Sequence, residues 1–203
     1  MAAVRLAALL VVFAVVASGY ATAGPPASTT TTTLHKYSPF TADSIARGIH
    51  ITRAAPGYCW TNSSADRAGA AFRCFVGNVI HDPCFANFAL TPVTYVVCPL
   101  YHPGSSVLRI NLTRKLPQDS RTGDPNPMDY PPWAVKTTSG KWCERLTGAT
   151  GSVVGLGVSY GCEGGGLLLG EPRRGTPLWS ASYAGGYKAT RYHRITLGSA
   201  WWL

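Results

Sequence analysis

Cysteines constrain this chain more than any other residue type. There are six, and four of them lie between Gly57 and Cys98. Three of those four are followed directly by an aromatic residue, in the pairs Cys59-Trp60, Cys74-Phe75 and Cys84-Phe85. A thiol beside a large ring is typical of small exported domains, in which each disulfide packs against a large apolar surface. The chain has no C-x2-C pair and no histidines at ligand spacing, so the cysteines indicate disulfides, and we predict neither a metal nor a cofactor.

Neighbouring cysteines are predicted to pair. The expected disulfides are Cys59–Cys74, Cys84–Cys98 and Cys143–Cys162. Loop-closure entropy does not select among connectivities, because it varies only logarithmically with loop length. The pairing rests instead on the long gap between Cys98 and Cys143, which leaves an even number of cysteines on each side.

The first residues, from Met1 to about Ala23, are organised like a cleaved signal peptide. Arg5 supplies a positive start, an apolar run of about a dozen residues follows, and Ala21-Thr22-Ala23 offers small residues for cleavage. The apolar run is shorter than the roughly 20 residues that span a bilayer as a helix. We therefore expect cleavage near Ala23 and a product that is secreted or associated with the cell envelope, without stable membrane insertion.

The charge balance is strongly basic, with 18 Lys and Arg residues against 9 Asp and Glu. Loss of Arg5 with the leader gives a mature formal charge of +8. The basic residues are dispersed, whereas a nucleic-acid reader concentrates them with interleaved aromatics. The densest stretch is Tyr187–Arg194, which we interpret as a solvated basic strand with weak affinity for an anionic envelope polymer. No nucleic-acid partner is predicted.

The fold class is predicted to be mainly β, a disulfide-stapled β-rich domain that forms either one compact unit or two small abutting lobes, with one short helix. The helix is expected over Ser64–Phe72, where Ser64 offers a cap and several alanines favour helix. The stretch Ser106–Thr113 alternates, and we expect Leu108, Ile110 and Leu112 to point inward. The predicted organisation is a signal peptide over 1–23, a disordered Pro/Thr-rich tail over 24–40, a four-cysteine lobe over 41–116, a Pro-rich loop over 117–132 and a β lobe with two cysteines over 133–203.

One short motif suggests catalysis. Residues Gly157–Gly161 match G-x-S-x-G, the nucleophile elbow of serine hydrolases, with Ser159 as the nucleophile. Glu171 and His193 follow in the order that such a triad uses. Against this hypothesis, the residues after Gly161 include three consecutive glycines, which start a helix poorly. We expect a glycine-rich hairpin instead and keep a secreted serine hydrolase as the alternative.

The pair His81-Asp82 is interpreted structurally. Adjacent residues on an extended chain point apart, which disfavours an acid–base pair. Asp82 precedes Pro83 and is expected to begin a turn in which its carboxylate accepts an amide hydrogen two residues on. The alternative is a catalytic carboxylate at Asp82.

The aromatic and basic residues near the end of the chain suggest binding. Exposed rings can form a platform for sugars, and we place a weak binding site at Trp201, Trp202, Arg191 and Arg194. The function expected from the sequence is thus that of an exported, non-enzymatic protein that binds a cell-wall glycan or an anionic envelope polymer.

The pattern around the first four cysteines resembles a recurring core in secreted bacterial proteins of unknown function. It reads Gly57-x-Cys59-Trp60, then Phe72-Arg73-Cys74, then Gly77-Asn78-x-Ile80-x-Asp82-Pro83-Cys84-Phe85. The resemblance extends to Pro132-Trp133-Ala134 and to Cys143 and Cys162, about two thirds of the mature chain. It implies export and paired cysteines, and it implies no catalytic residue.

Overall fold

A computed structural model describes residues 31–67, 70–118, 129–175 and 177–202. The predicted signal peptide, residues 24–30 of the predicted tail and the centre of the Pro-rich loop lie outside these residues. The described residues form the following strands: β1 (Thr33–Lys36), β2 (His50–Asn62), β3 (Ala71–Val76), β4 (Val79–Ala86), β5 (Tyr95–Pro99), β6 (Ser106–Leu112), β7 (Ala134–Thr137), β8 (Trp142–Arg145), β9 (Ser152–Val153), β10 (Leu156–Cys162), β11 (Leu167–Arg173), β12 (Trp179–Ala184) and β13 (His193–Trp202). The prediction of a mainly β protein is confirmed.

The first lobe is a closed five-stranded barrel. Strands β2 to β6 pair in chain order, each antiparallel to the next, and β6 closes the barrel by pairing parallel to β2. Gly57 lies at a crowded point of this closure, because a Cβ there would be 2.2 Å from the carbonyl oxygen of Phe75. The interior is filled by Phe72, Leu108 and Ile110 together with the four cysteines of this lobe.

The second lobe is a barrel of six antiparallel strands. Its order is β7, β8, β10, β11, β12 and β13, and β13 pairs back with β7. The short strand β9 adds to β10. Tyr160, Leu168 and Leu197 are fully buried at its centre. The Tyr160 hydroxyl donates to the carbonyl oxygen of Pro132 at 2.6 Å, which satisfies the one polar atom of that ring.

The three disulfides join the neighbouring cysteines that the spacing favours. They are Cys59–Cys74, Cys84–Cys98 and Cys143–Cys162, and no described cysteine is free. Each bridge links two adjacent antiparallel strands, namely β2 to β3, β4 to β5 and β8 to β10. All six cysteines are buried. When strands close in the sequence pair side by side, cysteines that are neighbours in the sequence come into contact. This explains why each cysteine is bonded to its neighbour in the chain.

An apolar cluster joins the two lobes. It contains Tyr37, Phe85 and Val107 from the first part of the chain and Trp133 from the second. The Trp133 ring lies 5.5 Å from the ring of Tyr37 and 6.0 Å from that of Phe85, between centroids. The lobes therefore share buried surface.

Part of the predicted disordered tail is ordered. Thr33–Lys36 forms β1, which pairs parallel to β13, and Tyr37 is buried in the cluster between the lobes. The prediction of a disordered segment up to residue 40 is wrong for this part, because the strand edge of β13 and the inter-lobe cluster supply partners that composition does not reveal.

The helix predicted over Ser64–Phe72 is also wrong for its described residues. Ala71 and Phe72 begin β3 and are fully buried. Before them, the Ser63 hydroxyl accepts the backbone N–H groups of Ala65 and Asp66, a local turn that competes with helix. The described residues contain no α-helix, and none of their elements is a helix long and apolar enough to span a membrane.

Strand β6 is buried on both faces at the consecutive residues Val107 and Leu108. Leu108 and Ile110 point into the first barrel as predicted, and Leu112 is partly buried. Val107 was expected on the solvent side and is fully buried, because the second lobe covers that face with Trp133.

Asp82 lies within β4, so the predicted turn at this position is wrong. Its side chain is 1% exposed and ion-pairs with Arg73 at 3.2 Å, from Oδ2 to Nε. Its carboxylate accepts the hydroxyl of Ser63, and the Ser64 amide at 3.2 Å and hydroxyl at 3.0 Å. Burial raises the pKa of Asp82, although these hydrogen bonds and Arg73 oppose the shift. The carboxylate anchors the segment after β2 rather than closing a turn of its own.

Candidate anion-binding groove

Two adjoining cavities lie at the end of the second barrel where β12 leads into β13. The larger has a volume of about 400 Å³ and the smaller about 140 Å³. Tyr183 and His193 line both, so we treat the two cavities together as one groove. The other lining residues are Gly185, Lys188, Ala189, Thr190 and Arg191 in the larger cavity and Thr137, Ser139, Lys141 and Ile195 in the smaller. The mouth of a barrel is a recurrent location for ligand sites.

Tyr183 is the fixed centre of the groove. It pairs with His193 across β12 and β13, and the two ring centroids are 5.4 Å apart. Lys141, from the turn between β7 and β8, donates its Nζ to the Tyr183 hydroxyl at 3.0 Å. The ring also occupies space that Gly166 leaves open, since a Cβ at that glycine would be 2.1 Å from the Tyr183 oxygen. Three separate chain segments therefore hold this side chain.

The groove is positively charged. Lys141, Lys188 and Arg191 line it, and no acidic side chain among the described residues lines either cavity. Lys188, Arg191 and His193 are exposed. Cationic donors of this kind fit the oxygen atoms of a phosphate, sulfate or carboxylate group.

The two arginines predicted to bind, Arg191 and Arg194, lie in different cavities. Arg191 lies in the groove, but Arg194 lines a different cavity of about 240 Å³ together with Glu171 and Arg173. Successive residues of a strand point to opposite faces, and His193 already faces the groove. Arg194 is therefore directed away from it.

The two tryptophans predicted to bind are not free platforms. Trp202 is 3% exposed and donates its Nε1 to the Tyr130 carbonyl oxygen at 3.0 Å, so it belongs to the core. Trp201 is half-buried, with ring centroids 4.6 Å from His35 and 4.5 Å from Trp142. The prediction that these rings form an open sugar platform is wrong, because Trp202 packs in the core of the second barrel and the Trp201 ring contacts His35 and Trp142.

The alternative hydrolase triad is not brought together. Ser159 lies inside β10 between strands β8 and β11, rather than on a turn from strand to helix. Starting from His193, the cross-strand partners are Tyr183, Leu168 and then Tyr160, the residue after Ser159. Three strand spacings place Ser159 about 14 Å from His193 along the sheet.

The acid of the triad is engaged elsewhere. Both oxygens of Glu171 accept hydrogen bonds from Arg145, at 2.9 and 2.8 Å. The geometry of a nucleophile elbow is thus absent at Ser159 in the described part of the chain.

A further cavity of about 230 Å³ lies between the lobes, and no sequence motif predicts it. Tyr101 and His102 come from the first lobe, and Trp142, Glu144 and Glu163 from the second. Glu144 is an exposed residue, but its carboxyl group is partly desolvated. This desolvation raises the pKa of the carboxyl, and the Glu163 charge raises it further. The His102 backbone amide and charge oppose this shift. Its acidic lining distinguishes this cavity from the basic groove.

Of the groove residues, the sequence predicted a binding role for Arg191 and named His193 only as the base of the alternative hydrolase. It did not identify Lys141 or Tyr183, and Lys188 appeared only within the basic run. The run Tyr187–Arg194 did signal local basic character. Lys141 lies more than forty positions before Tyr183, and only the closure of the barrel brings them together.

No protein-family model, curated protein or solved structure matches this chain in comparisons of sequence and fold.

Proposed function

We propose that this protein is exported and, without catalysing a reaction, binds an anionic polymer or acidic glycan of the cell envelope in the basic groove. The observation that carries the proposal is that Lys188 and Arg191 line the larger cavity and Lys141 the smaller one, while Tyr183, whose hydroxyl is held by Lys141, lines both. Export is supported by the three disulfides, which persist in oxidising compartments, and by the leader-like residues at the start of the chain. Kinship with the secreted bacterial proteins that share the cysteine pattern is part of this proposal.

The chemistry of the groove favours a repeated anionic group over a neutral sugar. Lysine and arginine donate charge-assisted hydrogen bonds, which are stronger to the oxygen atoms of an anion than to the neutral hydroxyls of a sugar. The groove is shallow and exposed, which suits a chain that passes through it better than a small molecule that must be enclosed. The excess positive charge of the whole chain further attracts a polyanion.

Binding to long-chain polyphosphate and to purified cell wall tests the proposal. The mature, oxidised protein should co-sediment with cell wall at low salt and be released as salt rises, because exposed charges are screened. Lys188→Ala combined with Arg191→Ala should weaken polyphosphate binding on the order of tenfold at low salt.

The matched control removes the same charge outside the groove. Lys36→Ala combined with Arg47→Ala changes two exposed basic residues that line neither cavity. Equal losses in the two double variants would show that net charge alone drives binding, and the groove proposal would then be wrong.

A further inference from the structure

The hairpin of β3 and β4 exposes a group of apolar side chains on the outside of the first barrel. Val79 is 58% exposed, Ile80 46% and Trp60 38%. Val76 and Val79 pair across the two-residue turn Gly77-Asn78. Val79 leaves more than half of its surface in solvent and Ile80 nearly half, on consecutive residues next to the turn, and neighbouring exposed apolar side chains are typical of interaction sites.

Aromatic rings follow immediately behind the tip. Tyr58, Phe75 and Ile80 are direct cross-strand neighbours on β2, β3 and β4. The rings of Phe75 and Trp60 stack with centroids 4.3 Å apart. The order from the turn inward is thus aliphatic and then aromatic.

Basic side chains surround the same element. The Arg114 guanidinium lies 4.1 Å from the centre of the Tyr58 ring, and Lys115 follows it, exposed. Burial and then the charge of Arg53 lower the pKa of His81, which places Arg53 near β4. The acidic residue of the hairpin, Asp82, is buried against Arg73 and does not offset the other charges.

We propose that the β3–β4 hairpin is a peripheral membrane-docking element whose tip, Val79 and Ile80, enters the interface of an anionic bilayer. Aliphatic groups fit the acyl boundary, aromatic rings fit the headgroup level and cations fit anionic lipid, in the order that the hairpin presents them. This goes beyond the polymer-binding groove, which lies in the other lobe and is built from other residues.

Two other occupants fit less well. A sugar would need a free ring face, but Trp60 carries Phe75 on its ring and has the Arg73 guanidinium 5.5 Å from its centre. A second copy of the chain docked on the same face would add its own basic side chains to those already there, and the acidic residue of the hairpin, Asp82, is buried against Arg73 and cannot pair with them.

Flotation with lipid vesicles tests the proposal. The mature, oxidised protein is mixed with phosphatidylcholine vesicles containing about a third phosphatidylglycerol, or with phosphatidylcholine alone. We expect flotation with the anionic vesicles and a partition coefficient that falls about tenfold or more in Val79→Thr/Ile80→Thr, which keeps β-branched residues in the strand. The control, Leu34→Thr/Tyr101→Thr, removes two exposed apolar side chains elsewhere and should float like the wild type.

A charge variant gives a second, independent measurement. Arg114→Gln/Lys115→Gln leaves the apolar tip intact and should reduce flotation with anionic vesicles, and it decides the matter if the threonine variant does not fold. The proposal is overturned if the wild type fails to float with anionic vesicles, or if the tip and control variants lose flotation equally. It is also overturned if the tip variant loses polyphosphate binding as strongly as vesicle binding, since the hairpin would then hold a soluble polymer.

Discussion

Replacing Asp82 with alanine is expected to destabilise the first lobe by about 2–4 kcal/mol. The change removes the acceptor for the Ser63 hydroxyl and for the Ser64 amide and hydroxyl. It also removes the ion-pair partner of Arg73. Hydrogen bonds to a charged group are worth about 1.5–3 kcal/mol each, and breaking a fully buried ion pair costs about 3–5 kcal/mol.

Two features keep the expected loss below the sum of these terms. The Arg73 side chain is 20% exposed and still donates to the Thr147 carbonyl oxygen at 2.6 Å, so it is not left without a partner. Burial of the carboxylate also opposes its ionised form, and the variant no longer carries that penalty. The net value of about 2–4 kcal/mol lies between a single hydrogen bond and a fully buried ion pair.

Denaturant unfolding of the oxidised protein, followed by tryptophan fluorescence, measures this loss. Asp43→Ala, at an exposed position, is the matched control and should change the free energy of unfolding by less than about 0.5 kcal/mol. Asp82→Asn keeps the shape and one acceptor and should fall between the wild type and Asp82→Ala. If Asp82→Ala unfolds within about 0.5 kcal/mol of the wild type, the anchoring role is refuted and the carboxylate would have to serve another purpose.

Three further outcomes are expected. Because burial raises the pKa of Asp82 above its ordinary value of 3.8, its protonation favours the folded state. The stability of the wild type relative to Asp82→Asn is measured by denaturant unfolding across pH. It should therefore be greatest below pH 3.8 and decline as pH rises through the raised pKa of the folded state. A stability difference that grows with pH would contradict this. Gly166→Ala should cost about 1–3 kcal/mol through its clash with Tyr183, and adding Tyr183→Ala should recover part of the loss in thermal unfolding, whereas additive losses would contradict the clash. Tyr160→Phe should cost about 1–2 kcal/mol by leaving the Pro132 carbonyl oxygen without its donor, and an unchanged melting temperature would argue against that hydrogen bond.

Much of the second lobe could be predicted from local sequence. Its strands are short, its turns contain glycine, and most strands pair with a near neighbour in the chain; the exceptions are the closure of β13 on β7 and the addition of β1 to β13. The same locality explains Cys143–Cys162, which joins strands that pair directly. An alternating apolar pattern and turn residues are sufficient to predict strands that pair with a near neighbour in the chain.

The errors arose where distant parts of the chain decide the environment. Ala71 and Phe72 have a helical context in the sequence, yet the barrel recruits them into β3 and buries them. Val107 alternates as a solvent-facing residue but meets Trp133 of the other lobe. Trp202 was predicted to be available to a ligand, yet it packs in the core of the second barrel with residues from other strands. Local pattern contains no information about such long-range partners.

The two barrels are coupled in a way that bears on both proposed surfaces. Trp133 belongs to the segment leading into the second barrel and packs against Phe85 of the first, and β1 lies on β13 before the chain enters β2. Arg73 adds a polar link, because it joins Asp82 of the first lobe to the Thr147 carbonyl oxygen of the second. Separating the lobes would expose these rings and break the hydrogen bond from Arg73 to the Thr147 carbonyl oxygen, so the lobes are expected to unfold together. A ligand bound only to the folded state, at the groove or at the hairpin, would then stabilise both barrels.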